Sequence, residues 1–104
     1  MVNRTVCLAE RDLALPDKTI MYYVYVLKSL IKDHLYVGYS KDLRTRVKAH
    51  NSKKVKATRR YAPWKLVYYE AYLANQDATK RERQLKMHAV KEELKSRLKY
   101  GLKE

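Results

Sequence analysis

The sequence predicts an α+β domain, a small three-stranded antiparallel sheet flanked by helices in the order β-β-α-β-α-α. Three observations predict it. Tyr22–Leu27 and Leu35–Tyr39 are short runs rich in β-branched and aromatic residues, joined by a polar segment, which is the pattern of a hairpin. Trp64–Leu73 alternates along its length, as a third strand does. Val90, Leu94, Leu98 and Leu102 recur every four residues, the spacing of a helix with one apolar stripe.

The elements follow in order. Residues 1–20 carry Arg4, Glu10, Arg11, Asp12, Pro16, Asp17 and Lys18 with no sustained period, and are expected to form a loosely ordered extension. Residues 21–104 would then be the folded domain, and Met21 could be its natural start. Ser29–His34 turns the chain between the first two strands, which are expected to place Tyr25 across from Tyr36. Gly38, at the end of the second strand, permits a bend or a close approach.

Ser40 or Asp42 can cap a helix over about Leu43–Asn51, with Leu43 and Val47 on its sheet-facing side. Ser52–Arg60 reads as a basic loop, and Pro63 sends the chain extended into the third strand. In that strand Leu66, Tyr68, Glu70 and Tyr72 alternate with Val67, Tyr69 and Ala71. Asn75-Gln76-Asp77 offers a cap for a helix to about Met87. A further helix, or its kinked continuation, runs from about Ala89 to Tyr100.

Composition narrows the function. The formal charge is +13, from 24 Lys and Arg against 11 Asp and Glu in 104 residues. Folding does not need that excess, and it points to a polyanion, nucleic acid first. Ten Tyr and no Phe put many hydroxyls on aromatic rings. The single Cys7 excludes an intrachain disulfide and a Cys-rich zinc site, and suits a reducing cytoplasm. No apolar run approaches the roughly 20 residues of a membrane span.

Glu82 is the most informative residue. Ala78, Leu85 and Ala89 lie at i−4, i+3 and i+7, which places Glu82 on a small, apolar helix face. An inward carboxylate is costly unless it is paired or holds a metal. From the helix alone, an ion pair with a nearby Arg or Lys accounts for it more readily. Arg46 and His50, four apart, set a cation beside a titratable ring. Taken alone, that pair is better explained by a solvated basic face, and Tyr25 and Tyr36 are better explained by packing.

The motifs together say more. Tyr23-Val24-Tyr25, ten residues, then Tyr36-Val37-Gly38 resembles the paired motif of the GIY-YIG nuclease family. Arg46 stands ten residues after Tyr36, as the family's helix Arg does, and His50 follows four later. Glu82 in Lys80-Arg81-Glu82-Arg83-Gln84-Leu85-Lys86 matches the family's metal-binding Glu. Tyr61–Glu70 is similar to the compact standalone bacterial branch, which is related to the nuclease domain of the excision-repair machinery. Two departures stand out: Tyr23 occupies the place where Gly is usual, and no Asn follows Glu82.

The resemblance covers about residues 21–100 and implies a metal-dependent endonuclease that hydrolyses phosphodiesters in DNA, single-stranded or structured, during repair or processing. It implies Mg²⁺ or Mn²⁺ on Glu82 and phosphate on Arg46. Tyr25 becomes the candidate base for water, with Tyr36 and His50 assisting. Lys53, Lys54, Lys56, Arg59 and Arg60 are the candidate nucleic-acid contacts. The competing class is a non-catalytic basic module that binds nucleic acid without cutting it.

Overall fold

The computed structural model describes residues 20–103, so the expected N-terminal extension, all but Ile20, lies outside the described residues. Strands β1 (Tyr22–Ser29), β2 (Leu35–Ser40) and β3 (Trp64–Tyr72) form one antiparallel sheet in the order β2-β1-β3. Helix α1 (Leu43–Asn51) follows the hairpin, a short 3₁₀ turn (Arg59–Tyr61) precedes β3, and helices α2 (Asn75–Leu85) and α3 (His88–Arg97) complete the fold. The α+β order is the one the sequence predicts. No helix among the described residues is long and apolar enough to cross a membrane.

The central strand is buried on both faces, which explains its continuous apolar run. Val24 and Val26 face α2 and α3 with Leu35, Val37, Ala78, Leu85 and Leu94. Tyr25 and Leu27 face the other way, against Trp64, Ala62 and the α1 side chains Leu43 and Val47. The apolar stripe of α3 behaves as its spacing requires. Leu94 is buried, and Val90, Leu98 and Leu102 pack at the margin of the first cluster.

Four expectations need correction. Tyr25 pairs with Gly38, and Tyr36 with Leu27, so the two tyrosines are diagonal neighbours with ring centroids 6.4 Å apart. The alternation of β3 breaks at an irregularity opposite Val26 and Leu27, where Tyr68 pairs with Val26 but Leu66 with Leu27. Leu66 therefore joins the α1 face while Tyr68 and Tyr72 join the other, as a bulge requires. The cap of α2 is Ala74, without a side-chain bond; Asn75 instead accepts a hydrogen bond from the Tyr39 hydroxyl, tying β2 to α2. Finally, the chain breaks helix at Lys86-Met87, so Ala89 is exposed on α3 and does not share the Glu82 face.

Helix α1 is fixed at both ends. Asp42 caps it, accepting from the Thr45 backbone N–H at 3.1 Å and from the Thr45 hydroxyl at 2.9 Å. Those two bonds hold the Asp42 carboxyl below its ordinary pKa. At the other end the Lys53 N–H bonds the His50 carbonyl and the Lys54 N–H bonds the Ala49 carbonyl, a Schellman closure. Asn51 then clamps β3: its amide donates to the Trp64 carbonyl at 3.1 Å and accepts from the Trp64 N–H at 2.5 Å.

Candidate active site

Register and helix phase bring the candidate residues together. Tyr25 projects from the middle of β1 toward α1 and is fully buried. Its ring crosses the backbone of Gly38 so closely that a Cβ there would lie 2.4 Å from the Tyr25 hydroxyl oxygen and Cζ. The second motif therefore needs Gly38 because the first needs Tyr25. The close approach expected at this glycine is to a side chain, in mid-ladder, with no turn involved.

His50 meets Tyr25 from the last turn of α1. The Tyr25 hydroxyl lies 2.7 Å from His50 Nε2, and Nδ1 lies 2.6 Å from the Thr58 hydroxyl. Both His50 and Thr58 are buried. Thr58 is held in turn by the loop that follows α1, and its carbonyl accepts from the Trp64 indole at 2.9 Å. Tyr36 lies against this pair, with its ring centroid 5.1 Å from that of His50.

Arg46 and His50 do not form the single solvated face that their spacing allows. His50 turns into the core, while Arg46 stays exposed at the rim. The Arg46 guanidinium still acts on both buried groups. Burial pushes the Tyr25 hydroxyl up to about 12; the nearby Tyr36 and the Glu82 carboxylate push the same way, and Arg46 opposes them. Burial also pulls His50 down to about 4, and the Arg46 charge adds to the fall. At rest, the pair is a neutral phenol beside a neutral imidazole.

Glu82 reaches this cluster from α2, close enough for its charge to act on Tyr25. Its side chain is 22% exposed and pairs with Lys86, one turn on, at 3.1 Å. Lys86 is itself well exposed, so this is a surface pair of small worth, about 0–1 kcal/mol. The inward position read from the helix is thus only half true, since Glu82 sits at the boundary between core and solvent. A hard divalent ion fits such a carboxylate. Mg²⁺ is commonly held by one or two carboxylates, with water and substrate phosphate filling the remaining positions. Among the described residues no cluster of three or more His, Cys, Asp or Glu exists, so the protein would supply few ligands itself.

A more buried ion pair lies at Glu70. Arg81 Nε donates to both Glu70 oxygens, at 2.9 and 3.1 Å, and the Tyr68 and Tyr72 hydroxyls donate as well. Burial alone would raise the Glu70 pKa, but these donors and the Arg81 charge outweigh it and hold it below its ordinary value. Sequence reasoning missed this network, and it missed Thr58. Alternation along β3 put Tyr68, Glu70 and Tyr72 on one face, which was the available signal. Nothing local marks Thr58 in a polar loop.

The five basic loop residues, Lys53, Lys54, Lys56, Arg59 and Arg60, are all exposed. They border the site through Thr58, which sits between them in sequence and bonds His50. Among the described residues none of the five is in an ion pair, though Arg60 lies over the Tyr61 ring at 5.7 Å.

Residues 21–96 match the family model of the GIY-YIG catalytic domain. A UPF0213 protein of Staphylococcus epidermidis is 39% identical over 75 residues, covering 71% of this chain and 90% of that protein. A UPF0213 protein of Clostridium perfringens is 44% identical over 68 residues, covering 64% of this chain and 71% of that one. Among solved structures, the solution structure of a UPF0213 protein from Bacillus halodurans is 34% identical and covers 74% of this chain and 84% of its own, with a TM-score of 0.49. The matched span takes in Tyr25, Tyr36, Arg46, His50 and Glu82 together, and the chain belongs to the GIY-YIG nuclease family.

Proposed function

We propose that the protein is a divalent-metal-dependent endonuclease that hydrolyses phosphodiester bonds in DNA, in repair or processing. The observation that carries this reading is the contact of Tyr25 with His50 on the α1 side of the central strand, with Arg46 and Glu82 near enough for their charges to act on Tyr25. A module that only bound phosphate would gain from Arg46 but has no use for the charge of Glu82 beside it.

Each side chain has a role that its surroundings support. Glu82 would hold Mg²⁺ or Mn²⁺, which when bound polarises the phosphate and stabilises the leaving oxygen. Arg46, exposed at the rim, would take the phosphate through its planar fork. Tyr25 would accept a proton from the attacking water. Because its own pKa lies near 12, a standing phenolate is scarce at neutral pH. Tyr25 would therefore hand its proton to His50 Nε2 as it takes one from water, so that neither charge forms alone. Tyr36, beside both rings, would orient the water. The exposed loop from Lys53 to Arg60 would hold flanking phosphates.

Glu82→Ala tests the assignment at its centre. Cleavage of single-stranded, duplex and branched DNA should fall at least 10²–10³-fold, the rough scale set by losing stabilisation of transition-state charge. Affinity measured without metal should stay near wild type, and stability should change by less than about 1 kcal/mol, because only a surface pair is lost. Paired nicking assays, metal titrations and thermal melts read all three. A variant that still cuts in response to Mg²⁺, or a wild type that binds DNA but never cuts it, would defeat the proposal; the second outcome would identify a binding module.

A further inference from the structure

A second basic face lies on the far flank of α1. The helix turns about 100° per residue. Leu43 and Val47 point at the sheet, Arg46 and His50 project from the side that carries the site, and Arg44 and Lys48 project about half a turn away. There a groove of about 630 Å³ opens between α1 and the β3 side of the sheet. Its wall is aromatic: Tyr23 and Tyr69 meet edge to face at 6.0 Å, and Tyr69 is 53% exposed. Its floor is apolar, formed by Leu43, Val47 and Leu66, and its rim carries Arg44 and Lys48, with Lys41 at one end.

Neither Arg44 nor Lys48 is in an ion pair among the described residues. Asp42 also lines the groove; Thr45 caps its carboxylate, and the Arg44 and Lys48 charges help keep it ionised, so the rim carries three cations, with Lys41, against one carboxylate. Tyr23, the residue that departs from the family motif, contributes its ring here and none of its atoms to the Tyr25–His50 pair. An apolar floor with an aromatic wall suits a base, and two cations four residues apart suit the phosphates on either side. A duplex keeps its base faces stacked inside, exposing only base edges, sugars and phosphates, and would leave the floor and wall unstacked.

We infer that this groove is a nucleic-acid-binding site separate from the cutting site, in which an unpaired base lies against Tyr69 and Tyr23 while Arg44 and Lys48 hold its phosphates. The inference rests on the nucleic-acid reading above but not on catalysis. Both sites share α1, so one strand could cross the helix from the groove to Arg46.

The test is fluorescence anisotropy on the full chain without divalent metal, with a labelled single-stranded oligonucleotide and its duplex as probes. Tyr69→Ala should weaken single-strand binding about 5- to 150-fold, the range for removing one stacked aromatic ring, and leave duplex binding nearly unchanged. Tyr69→Phe should restore it. Arg44→Ser with Lys48→Ser should reduce the salt slope for the single strand by about 1.4, the share of two neutralised phosphates. Single-strand affinity and slope unchanged in both variants, with melting temperatures intact, would overturn the inference, as would equal losses on both probes. Should the wild type never cut DNA while these variants still lose single-strand affinity, the groove stands and the nuclease proposal falls.

Discussion

His50 shows how one buried ring ties stability to the site. Its folded pKa is near 4, below the ordinary value of 6.5 for an unfolded histidine. The fold therefore holds the neutral ring, while the unfolded chain takes up a proton first as pH falls. The stabilising effect is complete above about pH 6.5 and is lost between there and about pH 4, in total on the order of 3 kcal/mol. Melting temperature should drop from about pH 6.5 to about pH 5, before the carboxylates titrate. His50→Gln should flatten that segment of the curve, and an unchanged slope would place the titrating group elsewhere.

Gly38 is a residue-scale constraint of another kind. A methyl group there would enter the buried Tyr25 ring, and Tyr25 is packed by Leu27, Trp64 and His50 with little room to yield. Gly38→Ala should cost about 1–3 kcal/mol, as overpacking does, and should pull the Tyr25 hydroxyl from His50. Denaturant melts measure the first effect, and histidine ring shifts in NMR spectra measure the second. A variant as stable as wild type with unmoved His50 signals would show that the ring has slack.

At the scale of elements, the end of α1 carries an avoidable cost. Lys53 closes the helix with φ at 64°, in the left-handed region that glycine tolerates and lysine does not favour. Lys53→Gly should stabilise the fold by about 0.5–1 kcal/mol, since relief of the side-chain clash exceeds the extra freedom gained by the unfolded chain. Lys53→Ala removes the same charge but keeps the Cβ, so it should bring no gain. Equal stabilisation by both would mean that charge, not conformation, was the cause. The same turn delivers the chain to Thr58, so a helix ending serves the site as well as the core.

The whole molecule is a small core inside a strongly positive surface. Among the described residues, burial is divided between two clusters on opposite faces of the sheet, and no charged side chain belongs to either. Binding to nucleic acid should therefore fall steeply with salt, through release of counterions. Exchanging Lys54, Lys56 and Arg59 for Glu should lower the slope of log affinity against log salt by about 0.7–0.9 for each phosphate no longer neutralised. An unchanged slope in binding titrations would move the binding face away from this loop.

The sequence by itself determined the α+β order, the first helix with a cap at Ser40 or Asp42, and the resemblance that joins Tyr25, Tyr36, Arg46, His50 and Glu82; the structure chose Asp42. These are legible because they rest on local signals: side-chain period, capping chemistry and motif spacing. Tertiary structure alone decided the rest. The β3 irregularity, which sends Leu66 and Tyr68 to opposite faces, depends on the fit against β1 and leaves no mark in an alternating pattern. Spacing made Arg46 and His50 look alike, yet only the packing of α1 on the sheet buries the His50 ring against Tyr25 and leaves the Arg46 cation in solvent. Thr58 reaches His50, and Arg81 reaches Glu70, across gaps in sequence that no local rule spans. Periodicity says which side of an element is apolar; which neighbour covers it, and how deeply, is settled only when the elements meet.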